Sequence, residues 1–379
     1  MLTRHDKGYK ISIRASVLLV FALASLLTGV VAISLHYYFS EKLILQTKSE
    51  QFKQTSQQIA DHITRINHRA DNTLSVMIHD TRLFSNSQDN KEILQHVLLE
   101  ILTRHPDFYS LILGHANGDL LQVINLKGYA KLPSSFQLNE DDHWLVYQIT
   151  GQGSDRKQVT TYLDESLNVR KRDIKATDYD PRTRVWFQDA TSTSVTKTEQ
   201  YVFNVFDVPG YTYAIKSAQT GDVLAIDIAS ASLNHFLTAQ QTKMKHLVES
   251  EMYVYRGNGE IIASSKNQSH QHSFADLSQL VKLDEQQSGL ANKAHQFGKM
   301  LSVHEKGIEK YMFVLPLPLS SDMQSDEVDY FTVLVSKDDV LAVIKEKIRI
   351  SILVTGLFLL LLCPFLGFLP LQSLTQYLN

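Results

Sequence analysis

Hydrophobic and polar positions divide the chain into three textures. At each end lies an apolar run free of charge: Ala15 to Leu35, "ASVLLVFALASLLTGVVAISL", and Ile350 to Leu371, "ISILVTGLFLLLLCPFLGFLPL". About 20 apolar residues in a helix cross a hydrocarbon core of about 30 Å, so both runs predict spanning helices. From Glu41 to His105 the chain has neither glycine nor proline, and nothing there forces a break. Leu45, Phe52, Ile59 and Ile66 recur every seven residues, with Ile63, Ala70 and Met77 as a second series beside them. That spacing predicts a long helix with one apolar face. The face suits packing on the chain's own domain. It is also wide enough to serve a parallel partner helix in a homodimer. A second helix is predicted over Lys91–Arg104, stopped by Pro106.

The third texture is short strands. "FYSLILGHANGDLLQVINL" (Phe108 to Leu126) reads as strand, turn, strand, with Asn117-Gly118 supplying the positive φ of a tight hairpin. "QVTTYLD", "VRKRDIKA", "YVFNVFD", "YTYAIKSA" and "DVLAIDIA" follow as further strands. "EMYVYRGNGEIIASS" (Glu251 to Ser265) then repeats the Asn-Gly hairpin, and "YFTVLVSKDDVLAVI" repeats the strand-to-helix ending of "DVLAIDIASASLNHFL". Two unequal tandem copies of one unit are the economical reading, joined by the polar helical connector "TAQQTKMKHLVES".

Composition narrows the class. The 379 residues are 44% hydrophobic and 20% charged, enough for more than one cored domain. A net charge of -3 without clustered basic residues argues against a nucleic-acid partner. The chain has a single cysteine, Cys363, in the second apolar run, which excludes an intrachain disulfide and metal sites built on several thiolates. Arg4, Lys7, Lys10 and Arg14 precede the first run and "HYYF" follows it. This is the pattern of an uncleaved anchor with its N-terminus in the cytoplasm and an interfacial aromatic belt beyond. The central region is then extracytoplasmic. The expected topology is a membrane crossed twice, which in a Gram-negative cell is the bacterial inner membrane with the central region in the periplasm.

The candidate chemistry lies in "YDPRTRVWFQD", Tyr179 to Asp189. Arginine offers a planar fork that matches a carboxylate, and tryptophan a flat wall with one N–H donor. Asp227, within the buried strand "AIDI", needs a cation or several donors to be tolerated. Arg184, Trp186 and Asp227 together suit a small zwitterion; Asp227 with Trp186 and Tyr201 alone suits an amine. Plainer readings stand beside these. Asp178, Asp180 and Arg182 can pin a turn, Arg184 can sit in a salt bridge, Trp186 can be core, and Asp227 can cap the next helix. His270 and His272 have alternate spacing but lack a third ligand nearby, so no metal site is read there. No catalytic motif or cofactor motif appears. The competing class is a membrane-anchored extracytoplasmic enzyme, or a ligand-free interaction domain.

"YDPRTRVWFQDA" is similar to the "YDPR-x-R-x-WY-x-x-A" segment of the double Cache sensors of bacterial transmembrane receptors. "LAIDIASASL" resembles that family's "G-x-D-I-x-x-x-x-L" ending. The resemblance implies an α+β fold: two tandem PAS-like Cache domains on a long N-terminal stalk helix, flanked by two transmembrane helices. Along the chain it implies a cytoplasmic N-terminus (1–14), a first transmembrane helix (15–38), a stalk (39–80) and a membrane-distal domain (81–240). A membrane-proximal domain (241–347), a second transmembrane helix (348–371) and the start of a HAMP-like linker (372–379) would follow. It implies a sensor for a small ligand (amino acid, amine or carboxylate) coupled to a cytoplasmic output such as chemotaxis, a histidine kinase or a cyclic-di-GMP enzyme. Carried over by position, Arg184 and Trp186 face the ligand carboxylate. Asp227 and Tyr201 face its ammonium, and Tyr179 and Asp189 also match. Phe187 departs from the pattern, because tyrosine is usual there, and one hydroxyl is lost. The proximal copy, without a tryptophan from Glu251 to Val343, is expected to be a spacer rather than the main ligand site.

Overall fold

The computed structural model describes residues 13–84, 88–127, 138–244, 250–256, 261–266, 298, 300–305, 308–317 and 329–368. The basic lead-in at 4–10, the second Asn-Gly turn, His270, His272 and the segment 372–379 lie outside them.

One helix, α1 (Ile13–Met77, 65 residues), runs unbroken through the first apolar segment and the heptad stripe. At 1.5 Å per residue it is about 100 Å long. Its first part exposes Leu19, Leu23, Leu26 and Leu27 and is long and apolar enough to cross a membrane. A 3-10 turn (Thr81–Phe84) reverses the chain into α2 (Gln88–Arg104), ahead of Pro106.

Nine antiparallel strands then form the larger sheet, in the order β5-β4-β3-β2-β1-β9-β8-β6, with β7 also on β8. They are β1 (Ser110–Gly114), β2 (Leu120–Asn125), β3 (Trp144–Thr150), β4 (Lys157–Leu163), β5 (Val169–Ala176), β6 (Thr196–Lys197), β7 (Tyr201–Val202), β8 (Pro209–Lys216) and β9 (Val223–Ala229). "YVFNVFD" keeps only two residues as strand. After Val202 the chain closes a tight loop, with Asp207 at φ 52 and its N–H donating to the Phe203 carbonyl (3.1 Å).

Alternation along the strands sorts side chains to two faces. Leu111, Leu113, Leu121, Val123, Leu224 and Ile226 pack on α1 and α2 with Ile66, Ala70, Leu74, Leu98 and Leu102. The opposite face carries Tyr109, Ile112, Ile124, Tyr147, Trp186, Phe187, Phe203 and Ala225.

Helix α4 (Ser230–Lys243) leads to a second, five-stranded sheet, β11-β10-β14-β13-β12. Its strands are β10 (Glu251–Tyr255), β11 (Ile261–Ser264), β12 (Met300–Glu305), β13 (Ile308–Pro316) and β14 (Tyr330–Ser336). The four-strand order β2-β1-β9-β8 recurs as β11-β10-β14-β13, which is the internal repeat read from the two hairpins and endings. Directly after β14, α5 (Lys337–Phe368) begins. It runs beside α1, where a Cβ on Gly29 would meet Thr355 Cγ2 at 3.5 Å.

The heptad stripe is not a free dimer face. Phe52 and Ile59 are 0% exposed and Ile66 is 3% exposed. Phe52 and Ile59 sit in the core of the smaller sheet with Phe313, Val333 and Leu341, and Ile66 in that of the larger sheet. Leu45 packs on the same smaller core. Of the two roles expected for this stripe, packing on the chain's own sheets is the one these contacts bear out. The apolar face serves two sheets of one chain, one above the other, and that is why it is long.

Candidate functional site

Asp227 is central to the site because of register. It lies on β9, flanked by β1 and β8, and its direct cross-strand neighbours are Ser110 and Thr212. Side chains opposite one another in a sheet share a face, so both hydroxyls meet the carboxylate. Ser110 Oγ donates to Asp227 Oδ2 at 2.6 Å, and Thr212 Oγ1 donates to Oδ1 at 2.6 Å. Gln122 Nε2, from β2, donates to Ser110 Oγ (2.9 Å) and more weakly to Asp227 Oδ2 (3.3 Å). Tyr201 lies with its hydroxyl 2.6 Å from Thr212 Oγ1. That oxygen has given its proton to the carboxylate, so it accepts from the tyrosine.

The carboxyl is 1% exposed. Burial pushes its pKa up from 3.8 to about 6, against the pull of the Ser110 and Thr212 hydrogen bonds. Among the described residues no cation pairs with it. Asp227 does not cap α4 either: the N-cap is Ala229, without a side-chain hydrogen bond.

"YDPRTRVWFQD" supplies the opposing wall as a turn and one short helix. Asp180 caps a 3-10 turn (Pro181–Thr183), accepting from the Arg182 N–H at 3.0 Å and pairing with the Arg182 guanidinium at 2.7 Å. These residues have the turn-pinning role. Buried Arg156 holds the segment from below. Its Nε donates to the Tyr179 carbonyl (2.8 Å), its Nη1 to the Gly151 carbonyl (3.0 Å) and its Nη2 to the Gly118 carbonyl. Helix α3 (Val185–Gln188) then turns Trp186 and Phe187 inward, edge to face at 5.6 Å. They reach the sheet because Gly114 has no side chain; a Cβ there would lie 2.7 Å from the Trp186 ring.

Arg184 is half-buried, with its guanidinium 5.2 Å from the centre of the Tyr179 ring. No carboxylate partner for it is seen among the described residues. Burial raises the Tyr179 hydroxyl, while the charge of Arg184 lowers it and that of Asp227 raises it. Burial raises Tyr201 too, with Asp227 adding to the rise and Arg184 opposing it. Both tyrosines thus stand in the fields of one cation and one anion.

Of the residues singled out in the sequence, Tyr179, Arg184, Trp186, Phe187, Tyr201 and Asp227 come to this face. Asp189 does not join them: it is exposed at the C-cap of α3, its N–H donating to the Val185 carbonyl at 2.9 Å. Ser110, Gln122, Thr212 and Arg156 were missed. The signal for the first three was available: each is a polar residue at an inward position of an apolar strand. Arg156 gives no such signal, since its carbonyl partners come from three separate loops.

A hollow of about 830 Å³ lies between α2 and the loops around His143 and Glu165, lined by Ile93, His96 and Trp144. Its Arg104 already pairs with Glu100 at 2.6 Å, and both are exposed. Buried, unneutralised charge is found at Asp227 instead.

No family model matches the chain, and no curated protein matches it. Solved structures do. The ligand-binding domain of the Pseudomonas fluorescens chemoreceptor CtaA with L-alanine is 16% identical, over 77% of this chain and 98% of that one, at a TM-score of 0.41. The ligand-binding domain of Campylobacter jejuni chemoreceptor Tlp3 with 4-methylisoleucine is 14% identical over 81% and 93%, at 0.38. That of the Pseudomonas aeruginosa amino acid chemoreceptor PctB with L-Arg is 15% identical over 76% and 94%, at 0.42. These neighbours are of the kind the sequence resembles, sensor regions of bacterial receptors. At this level the likeness assigns no residue and no ligand to this chain.

Proposed function

We propose that the chain is the sensor region of a transmembrane receptor and that its larger sheet binds a small molecule carrying both a carboxylate and an ammonium. One observation carries this reading. Asp227 is a buried anion held by neutral donors, and Arg184 is a half-buried cation stacked on Tyr179, each without a countercharge among the described residues. A buried charge left unpaired is costly, and a zwitterion relieves both at once. Trp186 and Tyr201 supply walls between the two ends. The larger unit (81–240) is the ligand domain, and the smaller (241–347) couples it to the membrane.

The apolar, exposed first part of α1 and the apolar part of α5 from Ile350 onward cross the bilayer side by side. The sheets lie outside, and a HAMP-like linker leads to an output module in the cytoplasm. A second reading, a simple amine, is favoured if Arg184 proves dispensable.

The test is calorimetric titration of the full chain in nanodiscs with the twenty standard L-amino acids. L-alanine and L-arginine, which neighbours hold, come first, and the matching amines and acids follow. Binding without consumption of the probe is expected. Arg184→Ala and Asp227→Ala should each lower affinity several hundredfold or more, since removing one partner of a buried pair costs about 3–5 kcal/mol. Loss with Asp227→Ala alone identifies an amine. Turnover of the probe would establish the enzyme alternative. A probe that binds wild type and both variants equally well defeats the reading.

A further inference from the structure

Tyr109 stands in the site with one atom unexplained. Its backbone is tied on both sides: the N–H donates to the Asp227 carbonyl and the carbonyl accepts from the Asn125 N–H, both at 2.9 Å. Its ring stacks on Phe203 at 5.5 Å and 15°. The residue is 3% exposed, and its hydroxyl has no hydrogen-bond partner among the described residues. Other hydroxyls on this face are engaged. Tyr147 donates to Gln158 Oε1 at 2.8 Å, and Tyr201 bonds to Thr212.

Burial, and then the charge of Asp227, push the Tyr109 hydroxyl well above its ordinary value. It therefore stays neutral and lies within the field of that carboxylate. A phenylalanine would keep the stack on Phe203 and bury no unpaired oxygen. The Tyr109 oxygen is therefore open to a partner that the described residues do not supply.

We infer that Tyr109 is a ligand-contacting, specificity-determining residue whose oxygen accepts an N–H from a primary ammonium neutralised by Asp227. The inference rests on the site proposed above and names the class of cation it takes. A primary ammonium has three N–H donors to place. Asp227 takes one, the Tyr109 oxygen a second, and the Tyr201 oxygen, whose own proton is given to Thr212, a third. A quaternary ammonium offers none of these and leaves Tyr109 unpaired as before. The site thus selects primary ammonium over its N-methylated counterpart, although an aromatic wall by itself would accept either.

The experiment uses the full chain in nanodiscs, as wild type, Tyr109→Phe and Asp227→Asn. The probes are the standard L-amino acids and the N,N,N-trimethyl derivative of whichever binds. Wild type should prefer the primary ammonium. Tyr109→Phe should weaken that probe about tenfold or more and leave the trimethyl probe unchanged, as expected for one hydrogen bond to a charged group. Without ligand, Tyr109→Phe should melt at the same temperature as wild type or above it.

Three results overturn the inference. If Asp227→Asn abolishes binding while Tyr109→Phe binds as wild type, the site stands and the role of Tyr109 falls. If the unliganded Tyr109→Phe protein melts several degrees lower, the hydroxyl has a resting partner and is structural. If no amino acid binds wild type, the proposed site fails and this inference fails with it.

Discussion

Asp227→Asn is expected to stabilise the unliganded protein at neutral pH and to change it little in acid. Burial raises the carboxyl from 3.8 to about 6, so the folded chain holds this proton more tightly than the unfolded chain does. The stability it contributes is complete below about pH 3.8 and is lost as pH rises through about 6. The loss is about 3 kcal/mol, from roughly two pH units at about 1.4 kcal/mol each. Asparagine keeps the shape and still bonds to Ser110 and Thr212, but carries no charge to desolvate. Denaturation of the full chain in detergent micelles, at about pH 4 and about pH 7.5, measures the difference between variant and wild type. That difference cancels carboxylates such as Asp142, Asp180 and Asp222, whose lowered pKa values weaken both proteins alike in acid. A gain of up to about 3 kcal/mol at pH 7.5, near 6–12 °C in Tm for a region of this size, is the expected result. A variant less stable than wild type at pH 7.5 would refute the reasoning. The hydroxyl donors would then outweigh desolvation, and Asp227 would be a structural anchor.

Arg156→Ala should destabilise the protein by about 2–4 kcal/mol in the same assay, because three backbone carbonyls lose a charged donor at once. Arg156→Lys should recover only part of this, since an ammonium lacks the fork that spans separate loops. Gly114→Ala should cost about 1–3 kcal/mol by overpacking and should weaken ligand binding as well, because its Cβ displaces Trp186; unchanged binding would remove Trp186 from the site. Cysteine at Ile59, buried between α1 and the smaller sheet, should resist a membrane-impermeant thiol reagent and form no intermolecular disulfide, whereas cysteine at exposed Gln57 should be labelled.

Local patterning made the helices and most strands legible. The glycine-free and proline-free run to His105 became α1 and α2, and alternation marked β1, β2, β8 and β9. The two-sheet repeat was legible from its matched hairpins and endings, because each copy had to solve the same packing problem. That the stripe packs on its own chain was legible, but not that two separate sheets divide it between them. Seven-residue spacing says that a face is buried and does not say against what, and the sheets it covers are far away in sequence. The site was half legible. Arg184, Trp186 and Asp227 stand out by chemistry, but the partners of Asp227 depend on register across β1, β9 and β8. Asp189 illustrates the converse: it is the C-cap of the single-turn α3, two positions from Phe187, and positions i and i+2 of a helix do not face the same way.

How binding would reach the membrane follows from the same alternation. Thr212 touches Asp227 on one face of β8. The next residue, Tyr213, points the other way and donates to Asn67 Oδ1 on α1. Successive side chains of a strand lie on opposite faces, so β8 cannot shift in the site and leave Tyr213 where it was. The helix it holds has Ile66, Ala70 and Leu74 locked in the larger core and Phe52 and Ile59 locked in the smaller. Packed cores transmit displacement rather than absorb it. A ligand can move this system only by the difference in its affinity for two arrangements. In the structure at hand, Asp227 supplies a source of that difference. Its ionised form is disfavoured by burial without a cation and favoured with one, so the arrangement that brings the ammonium closest gains the most. Cutting the Tyr213–Asn67 bond, as in Asn67→Ala, should therefore leave ligand affinity nearly unchanged while reducing the ligand-induced change in spacing between labels on α1 and α5. A label response that stays at full size would show that the signal leaves the larger sheet by another route.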